Sequence, residues 1–320
     1  MLETMADRIS AIRGANYVPS DAVSDTQQWA EFDAGIVDRE LGFAEGLGLN
    51  SVRVFLQYLV YEDDPTGMLA RFETFLDLAE KHRLSVMPVL FDDCFGPEPG
   101  LGRQTGEVQP GAHNPWWQSS PGRSRMGQGY RPKLRRYVDD FLSAFGRDQR
   151  VVAWDLYNEP LSRPYSVALV RDVFAWAREA GPAQPLTTCY YGALLSDVTT
   201  IHPYVSPARE PDEIDRILEG ALAFGKPVAA TEFLGRPNHG ELSELLPRFA
   251  EHRVGWYFWE LMIGENQTRY QWKHGLAAPE GIVFQGLLYP DGTPYRDDEV
   301  ELIRSYTGHE GRPTAARRAG

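Results

Sequence analysis

The fold is decided by three consecutive segments, SVRVFL at 51–56, GMLARFETFLDLAEKH at 67–82 and SVMPVLF at 85–91. The first and third segments are short and rich in apolar residues, which is typical of parallel strands buried on both faces. The apolar residues of the middle segment recur at helical spacing. The order strand, helix, strand predicts a right-handed crossover between two parallel strands.

The same alternation extends in both directions along the chain. Strands are predicted at 11–17, 51–56, 85–91, 151–157, 185–190, 199–202, 227–232 and 255–259. Helices are predicted at 34–47, 67–82, 133–145, 165–179, 211–224, 241–251 and 296–306. About eight such units favour an α/β protein built as a closed (β/α)8 TIM barrel. No G-x-G-x-x-G motif follows the first strand, which argues against a dinucleotide-binding sheet.

Two connections depart from the regular pattern. The segment 92–131, between the third strand and the third helix, is long and rich in Gly, Pro and Trp, and loops of this length are usually functional. The link between the fifth and sixth strands is short, so we expect a shortened fifth helix. We expect one catalytic barrel domain over 1–310 and a frayed tail at 311–320.

The composition narrows the possible partners. The 320 residues carry 32 Lys and Arg against 45 Asp and Glu, a net charge of −13, which disfavours a nucleic-acid partner. No apolar run approaches the ~20 residues of a membrane helix. The first residues do not resemble a secretory signal, and the two cysteines do not suggest a disulfide scaffold. We therefore expect a cytoplasmic protein without membrane association.

Polar residues gather where the predicted strands end. In a (β/α)8 barrel the carboxyl ends of the strands form one face, and this face holds the active site. The residues at or near that face are, in strand order, Asn16 and Tyr17, Arg53 and Gln57, Asp92, Asp93 and Cys94, Asn158 and Glu159, Tyr190 and Tyr191, His202 and Tyr204, Glu232, and Trp259 and Glu260. Polar groups that converge after apolar strands predict a functional site rather than a core.

Glu159 and Glu232 are the leading candidates for chemistry. Each follows a mostly apolar strand, VVAWDLYN at 151–158 and PVAAT at 227–231. A retaining glycosidase needs two carboxyl groups ~5–5.5 Å apart, and the ends of non-adjacent barrel strands can face each other across such a gap. A Glu after a strand can also cap a helix or pair with an arginine, but two in such contexts favour catalysis.

Several short motifs occur in the strand order of a known family. They are NEP at 158–160 with the later Glu232, Arg53 on the second strand, IHPY at 201–204 and GWYFWE at 255–260. With these motifs the chain resembles the clan A retaining glycoside hydrolases, and in particular their cellulase/mannanase/β-glucosidase-like family. The resemblance extends over most of the chain. It implies a (β/α)8 barrel, Glu159 as the acid/base, Glu232 as the nucleophile, and neither metal nor cofactor.

Two features depart from that family's pattern. The chain between Glu159 and Glu232 is short for three βα units, which again indicates a reduced fifth helix. The third strand ends in Asp92-Asp93-Cys94, which matches no common subfamily pattern. The sugar and the linkage are therefore left open by the sequence.

Neighbouring residues are expected to tune the two acids. Arg53 is the nearest plausible cation to keep Glu232 ionised, because an opposite charge within ~4–6 Å lowers a carboxyl pKa. His202 and Tyr204 are expected to orient Glu232. Glu159 has to be protonated at the start of the reaction, so its surroundings are expected to be less cationic.

Further residues are candidates for binding substrate. Asn158 is placed to bond the sugar 2-hydroxyl, and Trp259 is placed to stack under the sugar ring. We expect one of Asp92 and Asp93 to bind sugar hydroxyls at a blind end of the cavity. The remaining candidates are Asn16 as a supporting residue, Trp116 and Trp117 as one wall, the segment 264–286 as the opposite wall, and Tyr190 and Tyr191, which we interpret as packing residues.

These observations lead to competing hypotheses. The first is a retaining β-glycoside hydrolase that cleaves a β-linked oligosaccharide or small glycoside by double displacement, acting from the chain end. A transglycosidase would use the same two Glu. A metal-dependent sugar isomerase would use Asp92, Asp93, Glu159, His202 and Glu232 as ligands of a divalent ion. A non-catalytic carbohydrate-binding barrel is disfavoured because both Glu are present. The oligomeric state is not encoded in any pattern we find.

Overall fold

The computed structural model describes residues 4–94, 96, 98–101, 111–160, 163–272 and 281–309. Its strands are β1 Arg13–Asn16, β2 Ser51–Phe55, β3 Ser85–Val89, β4 Trp154–Asp155, β5 Leu186–Thr187, β6 Thr199–Ile201, β7 Val228–Ala230 and β8 Gly255–Phe258. Its helices are α1 Met5–Ser10, α2 Asp25–Ala30, α3 Ala34–Gly46, α4 Tyr58–Asp63, α5 Pro65–Lys81, α6 Arg131–Phe145, α7 Pro164–Ala180, α8 Glu213–Leu222, α9 Leu242–Glu251 and α10 Asp297–Thr307.

The eight strands form one parallel sheet in the order β5-β4-β3-β2-β1-β8-β7-β6. Because β1 pairs with both β2 and β8, the first and last strands close the sheet on one side. The opposite side, between β5 and β6, is joined by a bridge between Cys189 and Thr200. A hydrogen bond of 2.8 Å from Thr187 Oγ1 to the Val198 carbonyl reinforces this seam. The predicted (β/α)8 barrel is confirmed.

The seam lies where the sequence predicts a reduced fifth helix. A single 3-10 turn, Tyr190–Leu194, stands between β5 and β6. The strand predicted at 185–190 ends early, because the Thr188 amide donates to the Ser196 side chain at 3.0 Å instead of continuing the ladder. The chain therefore folds back within a few residues and leaves no room for a full helix.

Local sequence signals set the ends of several helices. The Asp33 carboxylate accepts from the Gly35 and Ile36 amides and begins α3, as an N-cap does. Pro65 occupies the first turn of α5, and Gly181 ends α7 in the left-handed conformation, as expected of each residue type. The short helices α1, α2 and α4 were not expected, because six residues are too few to show a helical period.

Close packing fills the barrel and its surroundings. The barrel interior contains Met87, Ala153, Ala229 and Tyr257, all buried. Gly14 on β1 makes room for one of these side chains, since a Cβ there would lie 2.4 Å from the Tyr257 ring. None of the described helices is long and apolar enough to cross a membrane. The tail at 311–320 lies outside the described residues, and the domain limits stay a prediction.

Candidate active site

Arg53 organises the carboxyl end of the barrel. Its side chain is completely buried, a position that is costly for a charge unless it is paired and hydrogen-bonded. Nη1 donates to Glu232 Oε1 at 2.9 Å and to Asn16 Oδ1 at 2.8 Å. Nη2 donates to Asp155 Oδ2 at 2.8 Å and to Asn158 Oδ1 at 2.7 Å. One guanidinium therefore fixes side chains from three other strands.

Asn16 and Asp155 hold this guanidinium in place. Asn16 is buried and donates from Nδ2 to the Thr231 carbonyl at 2.8 Å. Asp155 lies on β4 and also accepts from Arg53 Nε at 3.1 Å. Neither residue is among those that line the cavity, so both act through Arg53. Asp155 is not among the predicted site residues, although it is a lone acid within the apolar run VVAWDLY at 151–157.

Glu232 follows β7 and is almost fully buried. Besides the contact with Arg53, its Oε2 accepts from the Tyr204 hydroxyl at 3.5 Å. Gln285 donates from Nε2 to that same hydroxyl at 3.4 Å and to the Leu234 carbonyl at 3.1 Å. Tyr204 therefore contacts Glu232 as predicted, and Gln285 is a neighbour that the sequence did not indicate.

Glu159 follows β4 with a backbone φ of 39°, a strained conformation of the kind that clusters at functional sites. Its Oε1 contacts His202 Nδ1 at 2.6 Å and accepts from the Tyr190 hydroxyl at 2.9 Å. Its Oε2 accepts from the Cys94 thiol at 3.0 Å. Burial raises the pKa of that thiol and keeps it in the protonated, donating form. Three side chains thus hold one carboxylate.

Two expectations about these contacts were wrong. His202 was expected to orient Glu232, but its Nδ1 lies 3.6 Å from Glu232 Oε2 and only 2.6 Å from Glu159 Oε1. The cationic neighbour that lowers the pKa of Glu159 is His202, whereas His202 and Arg53 both act on Glu232, so the surroundings of Glu159 are the less cationic of the two. Tyr190 was interpreted as packing, yet its hydroxyl contacts Glu159. The side chain of Tyr191 lies outside the described part of the chain.

The charge of this cluster determines how many protons it holds. Three carboxyl groups belong to this cluster: Asp155 and Glu232 pair with Arg53, and Glu159 contacts His202. Burial opposes charge on Arg53 and on His202, but the neighbouring carboxylates raise the pKa of both groups. Because an unbalanced negative charge is costly in a buried site, we expect the cluster to retain protons at neutral pH.

The two glutamates titrate as one coupled system. Burial opposes ionisation of Glu159, but the hydrogen bond and charge of His202, with the contacts of Cys94 and Tyr190, lower its pKa to about 2. Burial and the Glu159 carboxylate raise the pKa of Glu232, while His202 and Arg53 oppose the rise. His202 Nδ1, which lies 2.6 Å from Glu159 Oε1, is the group placed to exchange a proton with that carboxylate.

Both carboxyl groups face a cavity of about 580 Å³, which is within the usual range for small-molecule sites. Aromatic side chains form much of its wall. The rings of Phe55, Trp117 and Trp259 pack against one another edge to face, with centroids 5.0, 5.6 and 5.9 Å apart. All three line the cavity and give it an apolar wall. Trp117 was predicted to form a wall, and the stacking of Trp259 under a sugar ring stays a prediction.

A second wall comes from the two long loops after β3 and β8. His113 Nδ1 contacts the Tyr270 carbonyl at 2.6 Å, and Trp272 Nε1 donates to His113 Nε2 at 3.1 Å. The Tyr204 ring packs against Trp272 with centroids 5.0 Å apart. This contact between the loops closes one side of the cavity. Walls were predicted from both segments, but His113 was not among the predicted residues.

The two vicinal acids after β3 have different positions. Asp92 lines the cavity and accepts from Trp117 Nε1 at 2.8 Å and Asn158 Nδ2 at 3.2 Å. Burial raises its pKa to about 6. The Asp93 carboxylate instead accepts from the Ser166 hydroxyl on α7 and is not among the lining residues. Trp116, next to Trp117, is half-buried and also absent from the lining.

The site also contains three groups that could ligate a cation. One donor atom from each of Glu159, His202 and Glu232 lies within 4.8 Å of the others. Each of the three groups is already engaged, however. Arg53 binds Glu232, and His202 Nδ1 contacts Glu159 at 2.6 Å. A dication beside Glu232 would be repelled by the guanidinium, so the donor set fits an acid pair better than a metal site.

Comparison with solved structures finds the same architecture. A GH5_18 structure from Streptomyces cattleya in complex with GlcNAc matches with a TM-score of 0.63 at 16% identity, over 92% of this chain and 79% of that one. An exo-beta-1,4-mannosidase from Opitutaceae bacterium strain TAV5 matches with a TM-score of 0.66 at 18% identity, over 92% of this chain and 59% of that one. The β-glycosidase BGL167 matches with a TM-score of 0.62 at 13% identity, over 95% and 98% of the chains.

At these identities the likeness establishes the shared (β/α)8 fold. No protein-family model and no curated protein sequence matches the chain. The chemistry of this protein has therefore to be argued from its own site.

Proposed function

We propose that this protein is a retaining β-glycoside hydrolase that works by double displacement. The observation that carries the proposal is the pair Glu159 and Glu232, which face one aromatic-walled cavity with carboxylate oxygens within 4.8 Å of each other. Carboxyl groups ~5–5.5 Å apart are typical of retaining enzymes, whereas inverting enzymes leave ~6.5–9.5 Å for a water molecule. The likeness in fold to known glycosidases is consistent with this chemistry.

Glu232 is the proposed nucleophile. Arg53 anchors its Oε1 and Tyr204 contacts its Oε2, so its position is fixed before substrate binds. A fixed position lowers the entropic cost of attack on the anomeric carbon. The attack breaks the glycosidic bond and forms a glycosyl ester on Glu232. The bonding electrons leave with the aglycone oxygen, which takes a proton.

Glu159 is the proposed source of that proton. The proton shared between Glu159 Oε1 and His202 Nδ1 moves to the leaving oxygen as Glu159 becomes the acid. In the second step Glu159 accepts a proton from water, the hydroxide adds to the anomeric carbon, and Glu232 leaves. Asn158, held by Arg53 and Asp92, lies beside the acid and is placed to bond the sugar 2-hydroxyl.

The walls of the cavity favour a neutral sugar bound at a chain end. Among the described residues that line it, three are carboxylic acids and none is Lys or Arg, so an anionic sugar would meet like charge. The His113 contact with Tyr270 and Trp272 closes one side, as an exo-acting enzyme requires. The similar Opitutaceae structure is described as an exo-beta-1,4-mannosidase, so mannosides and glucosides are the first substrates to test.

The test is hydrolysis of aryl β-glycosides with gluco, manno, galacto, xylo and glucuronyl groups, with and without EDTA. We expect turnover of a neutral sugar that EDTA does not affect and that Glu232→Gln reduces by several orders of magnitude. Proton NMR of the first product is expected to show the β-anomer. An α-anomer would contradict the double displacement, and loss of activity in EDTA would favour a metal-dependent site. Transfer of the sugar to an added alcohol with little hydrolysis would instead indicate a transglycosidase.

A further inference from the structure

Tyr190 occupies an unusual position for an aromatic residue. Its side chain is 52% exposed, although its hydroxyl donates to the buried end of the site at Glu159 Oε1. Its backbone has a φ of 55°, and a bulky residue in this region is a genuine outlier. Such strain persists only where the surrounding structure imposes it, commonly at ligand-binding sites.

The turn that carries Tyr190 is firmly held. Lys226 Nζ donates to the Ala193 carbonyl at 3.0 Å and to the Ser196 carbonyl at 2.7 Å. The Tyr190 ring lies edge-on to the His202 ring, with centroids 5.9 Å apart. The exposed ring is therefore fixed in position and does not depend on a ligand for its order. The same turn also exposes Leu194, at 78%.

The position of the Tyr190 ring relative to Glu159 indicates which part of the substrate this ring meets. Cys94, which contacts Glu159 Oε2, lines the cavity, whereas Tyr190, which contacts Oε1, does not. Glu159 thus lies between the cavity and the exposed ring of Tyr190. Both acids line the cavity, which takes the sugar that is attacked. The acid must reach the leaving oxygen, so the leaving group extends past Glu159 toward Tyr190.

We propose that the exposed face of Tyr190 is a leaving-group subsite that stacks on the apolar face of a sugar ring or an aromatic aglycone. This inference rests on the proposed glycosidase function and deepens it. The hydroxyl and the ring of Tyr190 then have separate roles. The hydroxyl positions Glu159, and the ring binds the aglycone. The reduced fifth helix is what leaves this ring open to a ligand.

The two roles can be separated with Tyr190→Phe and Tyr190→Ala. Three substrates with the same sugar are compared: a β-glycosyl fluoride, an aryl β-glycoside and a disaccharide. Loss of the ring is expected to lower kcat/KM about three- to tenfold for the aryl glycoside and the disaccharide, mainly through KM. The fluoride, whose leaving group is one atom, is expected to change much less. Phe keeps the ring and is expected to keep KM near that of wild type.

Phe224→Ala is the matched control. Phe224 is also an exposed aromatic residue, at 43%, but it follows α8 and precedes β7, at the amino end of the barrel. Melting temperatures of all variants show whether they fold. Equal loss on the fluoride and on the larger substrates would overturn the inference, as would a Phe variant with the KM of the Ala variant. A wild-type protein that is silent on all three substrates with every sugar of the panel above would overturn the glycosidase function itself, and the subsite with it.

Discussion

Replacement of Arg53 by lysine tests whether one guanidinium builds the site. Arg53 makes five hydrogen bonds, to Asn16, Asp155, Asn158 and Glu232. Lysine keeps the charge but offers a single nitrogen, which cannot span acceptors on both sides. At least two buried acceptors would lose their donor.

The expected loss of stability follows from these contacts. A hydrogen bond to a charged group contributes about 1.5–3 kcal/mol, and breaking a buried ion pair costs about 3–5 kcal/mol. We expect a destabilisation of about 3–5 kcal/mol, measured by urea unfolding. This corresponds to a fall in melting temperature on the order of 10 °C.

The expected loss of activity is separate from the loss of stability. Glu232 would move relative to the sugar, and a displacement of about 1 Å can cost about 10²-fold in rate. We expect kcat to fall by at least this factor at a temperature where Arg53→Lys is fully folded.

The control is Arg150→Lys. Arg150 bonds Asp77 and Asp148 ahead of β4, at the amino end of the barrel. Its replacement is expected to lower stability without lowering kcat. If Arg53→Lys lost no more activity than Arg150→Lys, the proposed role of Arg53 would be refuted.

Three further outcomes follow from the described contacts. Burial raises the pKa of Glu260 to about 8. Between about pH 4.5 and 8 the folded state therefore binds more protons than the unfolded state. The free energy of unfolding is expected to fall over this range, by up to about 1.4 kcal/mol per pH unit. Glu260→Gln is expected to flatten that slope in urea titrations, and an unchanged slope would contradict this. Cys94→Ala removes a donor that lowers the pKa of Glu159, and the basic limb of kcat/KM is expected to move to higher pH. Cys94→Ser is expected to return the basic limb to the pH of the wild type. A shift of the limb to lower pH in Cys94→Ala would contradict the role of Cys94 as a donor to Glu159. Gly14→Ala would place a Cβ 2.4 Å from the Tyr257 ring and is expected to destabilise the fold by about 1–3 kcal/mol, which an unchanged unfolding midpoint would disprove.

Much of the architecture is predictable because it depends on local periodicity. The segments around 51–56 and 85–91 are apolar runs between helical repeats, and they form β2 and β3 with boundaries close to those expected. The strand at 185–190 is shorter than predicted, because its pairing competes with the Ser196 side chain. Ser196 lies outside residues 185–190, so the sequence of the strand itself does not indicate this competition.

The candidate site likewise contains residues that could be predicted from the sequence and contacts that could not. Glu159, Glu232 and Arg53 could be found because each lies on or directly after a strand whose end faces the cavity. The contact of His202 with Glu159 rather than Glu232 could not be predicted, since the two distances, 2.6 and 3.6 Å, are set by how the strands meet across the barrel mouth. His113 was missed because its role depends on a loop more than a hundred residues away, through Tyr270.

The strands of the barrel pair less extensively at the seam between β5 and β6 than they do around β2. Arg53 lies on β2, which pairs continuously with β1 and β3. The seam is instead joined by the Cys189–Thr200 bridge. Backbone amides around the seam are therefore expected to exchange with deuterium sooner than those of β2. Tyr190 and His202 flank this seam, one after each of its two strands. The bonds from Lys226 to the Ala193 and Ser196 carbonyls hold the turn of Tyr190, so side-chain contacts rather than strand pairing keep the leaving-group side of the site in place.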